Sequence, residues 1–471
     1  MVIRLFTMVA LWAVAAWHRL RVLEHSVVGS DSLGPYLQAQ SALFGHLPRP
    51  PNPESGDALW LTMVPIVAAS GSLLDAFSIR FVLGGLIAPI GFAAAFHWTA
   101  ESASMKRRWA AALTAGGLLA FDPGLLDTLI SGARSYAAPE FVGIFTLGLS
   151  LSLRGIPWAP GLSMISLVIA AGHHPLALGV ALSALPFLRR LHRIHGGPRL
   201  RTALILGGFA ALPRVARVAD IALCGEGIKA CLASVAGSNI TVPEPVDSML
   251  STALHDRFAV DFKGTLAILG VGVLLAFLCR KRDHRWAAAF ASLALLGVLG
   301  LGAANGYIRS YHLRIVAVPI AVVSALGLAR VWPMAAAASV AFITTHFNHL
   351  PVGADPGSLV RHVAIADRLP SGPLWVDRVW WDGPPRLEPS AVVLSAWMAG
   401  RTNFRLDRTV PFVLLNASED PSMPQVQRFP NAAAAGVWVD AHRPVRPYLR
   451  GGAYDWATIA HPQTTLEDAR W

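Results

Sequence analysis

Long apolar segments separated by short gaps rich in arginine and lysine constrain this chain more than any other feature. Lys106-Arg107-Arg108, the run from Arg189 to Arg201, and Arg280-Lys281-Arg282 with Arg285 each occupy such a gap. Apolar runs approaching roughly 20 residues are long enough to cross a bilayer. Lys and Arg near segment ends resist translocation, so these gaps read as cytoplasmic. The intervening gaps hold acids: Asp31, Asp57, Asp122, Asp127, Glu140, Asp220, Glu244, Asp256 and Asp261. Two faces of different chemistry follow, and function is to be sought on the acidic one.

Hydrophobic residues make up 54% of the chain and charged residues 14%, with a mean hydropathy of +0.50. Ordinary soluble domains carry roughly 25% charged residues. The fold class expected is therefore an α-helical polytopic membrane protein. A net charge of +11 on a soluble surface would point to nucleic acid. Here much of it flanks membrane segments, and the expected partner is the lipid bilayer, with no nucleic acid.

Three cysteines exclude a disulfide-rich scaffold and a metal site of four thiolates. Cys224 and Cys231 share a predicted external loop, Cys-Gly-Glu-Gly-Ile-Lys-Ala-Cys. A helix would separate them by about 10 Å along its axis, so a disulfide requires Gly225 and Gly227 to bend the chain. A bridge and two free thiols both stay open. Cys279 stands alone at a cytoplasmic segment end. The first run, Val2 to Trp17, contains Ala13-Val14-Ala15, an acceptable signal-peptide cleavage pattern. Apolar residues and tryptophan continue past it, which favours a retained first span.

Further spans read as Phe77 to Trp98, Trp109 to Phe121, Ala137 to Leu153, Ile156 to Ala171, Pro175 to Leu188 and Thr202 to Leu212. Then come Gly264 to Leu278, Trp286 to Ala304, Leu313 to Ala329 and Val331 to Thr344. Ala58 to Leu74 is apolar enough to cross but is interrupted by Pro65 and Gly71-Ser72. If it crosses and the N-terminus is inside, every later basic cluster lands outside, against the charge rule. Either it lies at the interface as a juxtamembrane helix (residues 58–74), or the N-terminus is external, which Arg19 and Arg21 favour. The two layouts put the loop of residues 23–56 on opposite sides of the membrane. With the N-terminus inside there are about eleven spans.

Residues 1–346 thus form the membrane domain and 347–471 a small extracytoplasmic α/β domain. From about Phe347 no long apolar run remains, and seven of the fifteen tryptophans fall in this last quarter, as suits a compact domain with a core of its own. Pro373 to Trp381, Pro411 to Leu415 and Gly436 to Asp440 read as short strands. Val360 to Leu369 and Ala391 to Ala399 read as helices.

Self-contained soluble motifs are missing from the sequence: no phosphate loop, His-Glu-x-x-His, Gly-x-Ser-x-Gly or paired Cys-x-x-Cys occurs. No Asp-x-Asp occurs either, which argues against a metal-bound nucleotide sugar. A donor carried on lipid does not need that motif. The loop after the first span runs from Gly29-Ser30-Asp31-Ser32 through Tyr36 to Gly45-His46-Leu47-Pro48. It offers an acid near the membrane, a helix-like stretch, and then the helix starting near Asp57. Ser78-Ile79-Arg80, Phe121-Asp122-Pro123, Ser131-Gly132-Ala133-Arg134 and Arg309-Ser310-Tyr311-His312-Leu313-Arg314 follow in order.

In this order and sidedness the chain, over roughly residues 1–345, resembles the multi-spanning polyprenyl-phosphate-dependent glycosyltransferases of the GT-C fold. Protein O-mannosyltransferases and lipid A aminoarabinose transferases belong to that superfamily. The resemblance implies a membrane glycosyltransferase at the external face of the cell (inner) membrane. It would move a sugar from a polyprenyl-phosphate carrier to a glycan, lipid or protein acceptor with inversion. Asp31 matches the family's acid in the first external loop, and a carboxylate there can take the acceptor hydroxyl's proton. An Asp before a helix-forming stretch is equally an ordinary N-cap.

The leaving lipid phosphate needs cations or oriented donors. Arg309, Arg314, Tyr311, His312 and Arg134 are candidates, with Asp122 and Tyr36 in the same substrate-binding set. Arg214 and Arg217 are further candidates. Interfacial Arg and Tyr also serve simply as anchors. Asp122 and Asp127 read as a second acid or as loop hydrogen-bonders, Glu140 as a partner for Arg134, and His173-His174-Pro175 as a cap and interfacial packing rather than a metal site. Many family members have a second acid beside the catalytic one, whereas Asp31 is flanked by Ser30 and Ser32. No metal ligand set is identified, and a divalent cation stays open as cofactor. Two other functions stay open beside the transferase: a non-catalytic membrane scaffold of the same fold and a lipid or solute transporter.

Overall fold

The computed structural model describes residues 2–23, 39, 43, 57–70, 73–99, 103–130, 138–221, 268–279, 282–304, 308 and 310–348, and the strand residues 374–376, 404–405, 412–415 and 425–428. Among them four helical stretches are long and apolar enough to cross a membrane: Val2–Leu20, Asp75–Trp98, Met105–Leu126 and His284–Ala304. Shorter apolar helices pack among them, and the chain is a multi-pass helical membrane protein.

Helix α1 (Val2–Leu20) is followed by α2 (Asp57–Ala69), α3 (Leu73–Gly84) and α4 (Ile87–Trp98). α1 lies antiparallel to α4 and also packs on α3. Near the start of α1, Arg4 sits over the Phe96 ring at 4.6 Å. In its middle, Trp12 Nε1 donates to Val82 O at 2.9 Å. Near its end, Ala16 meets the backbone of Gly85. α5 (Met105–Ala120) then starts at Ser104, whose side chain accepts from Arg107 N, and runs back beside α4.

The antiparallel sequence continues through α6 (Pro123–Ile130), α7 (Ala138–Ser152) and α8 (Ala159–His173). Next comes a 3-10 helix, Pro175–Phe187, where an α-helical span was expected. Such long 3-10 runs are uncommon. Its 13 residues at about 2.0 Å rise reach roughly 26 Å, against about 20 Å for an α-helix of equal length. The tighter helix therefore gives a short apolar run nearly the reach of the hydrocarbon layer.

α9 (Leu188–Ile221) carries a kink where Gly196 has φ +70°, a conformation that glycine adopts freely. Thr202 to Leu212 lies inside it, so the basic run expected as a gap is helical instead. The reason is amphipathicity. Leu191 and His195 are buried while Arg189, Arg190 and Arg193 are exposed, and His195 Nε2 meets Ser152 O at 2.7 Å.

α10 (Ile268–Phe277), α11 (Arg282–Ala304), a 3-10 helix Ser310–Val316, α12 (Ala317–Leu328) and α13 (Trp332–His346) complete the helical part. Every residue of α12 but Ile320 is buried, as expected of a helix that is apolar all round. Backbones touch at two places where neither partner has a side chain: Gly179 against Gly297, and Gly272 against Gly327. Small residues let helices approach closely in membranes, where packing replaces the hydrophobic effect.

Beyond the helices, β1 (Leu374–Val376), β2 (Phe404–Arg405), β3 (Phe412–Leu415) and β4 (Gln425–Arg428) form a sheet of order β2-β1-β3-β4. β1 is parallel to β2 and β3, and β3 pairs antiparallel with β4. β1 and β3 fall within two of the expected strands. The expected strand at Gly436 to Asp440 and both expected helices lie outside the described residues.

The helix ends sort into two groups. At one end Arg4 and Arg108 both face the Phe96 ring, Arg154 donates to the carbonyls of His97 and Thr99, and Arg285 donates to that of Cys279. This is the basic end. At the opposite end α1 finishes and α3 begins. There Arg21 lies over Trp17 and Phe347 and donates to Phe347 O, which ties the exit of α1 to that of α13.

Replacing Gly179 by alanine pushes a methyl into the Gly297 backbone, which cannot yield. The expected cost is about 1–3 kcal/mol, the usual range for overpacking. Gly208→Ala, inside α9 with nothing within 4 Å of the added carbon, is expected to raise stability by about 0.5–1 kcal/mol through helix propensity. Thermal unfolding of the two variants in detergent checks the contrast.

Candidate functional site

At the end opposite the basic clusters, polar groups are buried that an apolar bundle would otherwise exclude. Arg19, at the end of α1, is 3% exposed. Its Nη1 donates to Ala15 O and Ala120 O at 3.2 Å and its Nη2 to Leu119 O at 3.4 Å. The C-terminal carbonyls of a helix carry partial negative charge, so the guanidinium at the end of α1 serves the last turn of α5. Glu140 and Asp122 attract it and Arg80 opposes it.

Arg80 of α3 pairs with Glu140 of α7 through Nη2 and Oε1 at 3.0 Å, both side chains largely buried. Gly84 closes the group: a side chain there would meet Arg80 Nη1 at 3.3 Å, and Arg19 Nε and Glu140 Oε1 at 3.6 Å. Two cations and one carboxylate thus share a pocket that a glycine leaves open. Glu140 was expected to pair with Arg134, which lies outside the described residues.

Asp122 acts as a helix cap. Its Oδ1 accepts from Gly124 N at 2.8 Å and Leu125 N at 2.9 Å, which holds the start of α6. His173 is fully buried, stacks on Phe141 with centroids 5.1 Å apart, and approaches Thr62 of α2 at 3.4 Å. His174 caps the following 3-10 helix through Nδ1, which accepts from Leu176 N. The capping and packing expected of this His pair are what the structure shows.

The second 3-10 helix brings His312 and Arg314 to the same end. Both are fully buried, and the His312 ring lies 4.5 Å from that of His174. The segment carrying them touches α6, α7, α11, α12 and the first 3-10 helix. A short 3-10 turn thus sets an arginine and a histidine among the elements that also carry Asp122 and Glu140.

Of the residues singled out in the sequence, Asp122, His312 and Arg314 are placed at this end. Asp31, Tyr36, Arg134 and Arg309 lie outside the described residues, as do the side chains of Tyr311, Asp127, Arg214 and Arg217, and Cys224 and Cys231. The structure adds Arg19, Arg80 and Gly84. Arg19 had been weighed only as a topology signal, but a guanidinium bonded to buried carbonyls reports nothing about translocation. Among the described residues no three His, Cys, Asp or Glu side chains come together as metal ligands, and Cys279 is a buried free thiol.

The fold is similar to the crystal structure of ArnT from Cupriavidus metallidurans bound to undecaprenyl phosphate. The TM-score is 0.49 at 13% sequence identity, and the match covers 79% of this chain and 66% of that one. This is a likeness of helical layout and assigns no residue or ligand here. No known family matches the sequence, and no curated protein matches it.

Removing one member of the Arg80–Glu140 pair leaves a charge buried at membrane depth. Glu140→Gln or Arg80→Met is expected to destabilise the protein by about 3–5 kcal/mol, and the apolar double variant Arg80→Met, Glu140→Leu to recover most of that loss. A double-mutant cycle on thermal unfolding reads the coupling.

Proposed function

We propose that this chain is a membrane glycosyltransferase that moves a sugar from a polyprenyl-phosphate carrier to an acceptor hydroxyl. In this reading the polar end faces outward and the basic end faces the cytoplasm. The N-terminus is then inside, α2 lies at the interface without crossing, and eleven segments cross. Residues 347–471 form an external α/β domain.

The observation that supports it best is Arg314, a fully buried guanidinium beside His312 at the end away from the basic clusters. Ionisable groups at membrane depth are costly and mark substrate paths. A cation there suits the charge that a phosphate gains as the sugar leaves. Arg309, Arg134 and Tyr311 would complete the phosphate contacts, and Tyr36 and Asp122 would border the substrate.

The chemistry is a single displacement. The acceptor oxygen bonds to the sugar's anomeric carbon as the bond from that carbon to the phosphate oxygen breaks, and the bonding pair leaves with the phosphate. The acceptor's proton passes to a carboxylate. Among the described acids at this end, Asp122 is engaged as a cap and Glu140 in an ion pair. We assign the base role to Asp31, the acid that the resemblance to the polyprenyl-phosphate-dependent glycosyltransferases implies.

Asp31→Asn is expected to lower the transfer rate by about 10²–10⁴-fold, the usual contribution of a general base, with carrier binding retained. Arg314→Gln is expected to weaken binding of polyprenyl phosphate by about tenfold or more, as for loss of a charge-assisted hydrogen bond. Transfer from a lipid-linked sugar and titration with the carrier alone separate the two effects. An Asp31→Asn protein of full activity contradicts the assignment.

A further inference from the structure

At the basic end, on the face away from the site above, a cavity of about 430 Å³ opens among Trp98 of α4, Arg154 after α7, Phe187 of the first 3-10 helix, Arg190 of α9 and Trp286 of α11, with His97 on its wall. Among the described residues its lining contains two arginines and no acid. The charged groups acting on His97 are Arg154, Arg108 and Arg4, all cations. The local field favours an anion.

Two polar atoms of the lining are buried and meet no hydrogen-bond partner among the described residues: the indole N–H of Trp98 and Nδ1 of His97. Trp98 is 7% exposed, and its ring is held by Phe187 and Phe290, with centroids at 5.7 and 5.4 Å. A buried donor without an acceptor is costly in a protein and calls for a ligand atom or water. Arg154 is held in place by its bonds to His97 O and Thr99 O, both at 2.7 Å, so its guanidinium is pre-positioned at the cavity wall. Arg190 is exposed, and a long arginine stem at a helix end reaches headgroup level. Tryptophan on two sides suits a group with an apolar stem and a charged head.

We propose that this cavity binds an anionic phosphate group at the cytoplasmic face, with Arg154, Arg190 and the Trp98 indole N–H as its donors. Two sources carry that chemistry, the headgroup of an anionic phospholipid and free inorganic phosphate. The proposal does not depend on the transferase reading, because the cavity lies at the other end of the bundle.

The test uses the full chain in detergent, titrated separately with phosphatidylglycerol, phosphatidylcholine and orthophosphate, with bound lipid counted by native mass spectrometry and stability followed by thermal unfolding. Arg190→Gln removes an exposed cation, and Trp98→Phe keeps the ring but deletes the donor. Arg107→Gln, at the same face but outside this cavity, is the control. If the source is a lipid, phosphatidylglycerol is retained at about tenfold lower concentration than phosphatidylcholine, and Arg190→Gln and Trp98→Phe each erode that preference. If the source is free phosphate, orthophosphate alone raises the unfolding temperature of the wild type but not of those two variants. The proposal is overturned if neither ligand discriminates wild type from Arg190→Gln, or if Arg107→Gln lowers binding as much as Arg190→Gln does.

Discussion

The guanidinium of Arg19, bonded to Ala15 O of α1 and to the last carbonyls of α5, is the contact on which the polar end of this bundle depends. Its two acceptors in α5, Leu119 O and Ala120 O, are end carbonyls that the helix itself leaves without partners. Arg80 and Glu140 extend the arrangement into α3 and α7. Gly84 keeps the space between them clear. Four helices are joined at one level by charge, while elsewhere they meet through apolar and small residues.

The two ends of the bundle solve different problems. Lys106, Arg107 and Arg108 stand in the first turn of α5, and Arg282 and Arg285 at the start of α11. Cations there oppose the helix macrodipole, so helix stability does not explain them, while resistance to translocation does. At the opposite end Arg19, Arg80 and Arg314 are buried.

The apolar runs were legible in the sequence, some of them closely: the segment expected from Ala137 to Leu153 is α7, Ala138–Ser152, while that expected from Thr202 to Leu212 is part of the longer α9, Leu188–Ile221. Periodicity and length carry that information directly. The 3-10 form of Pro175–Phe187 and the helical course of Arg189 to Arg201 were not legible, because both are set by neighbours rather than by composition. The same holds for the site. Asp122 reads in the sequence as a second acid, a substrate-binding residue or a loop hydrogen-bonder, and in the structure its carboxylate caps α6. The Arg80–Glu140 pair joins residues 60 positions apart, and nothing local in either segment announces it. Arg134, nearer in sequence to Glu140, is the partner the sequence suggests, and it lies outside the described residues.

Sidedness is the claim that binds these observations together, and impermeant thiol labelling in intact cells measures it. With Cys224, Cys231 and Cys279 replaced by alanine, a cysteine introduced at Ser41 is expected to react before the cells are opened. One at Lys106 is expected to react only afterwards. Labelling of position 106 from outside, or of both positions from the same side, contradicts the account.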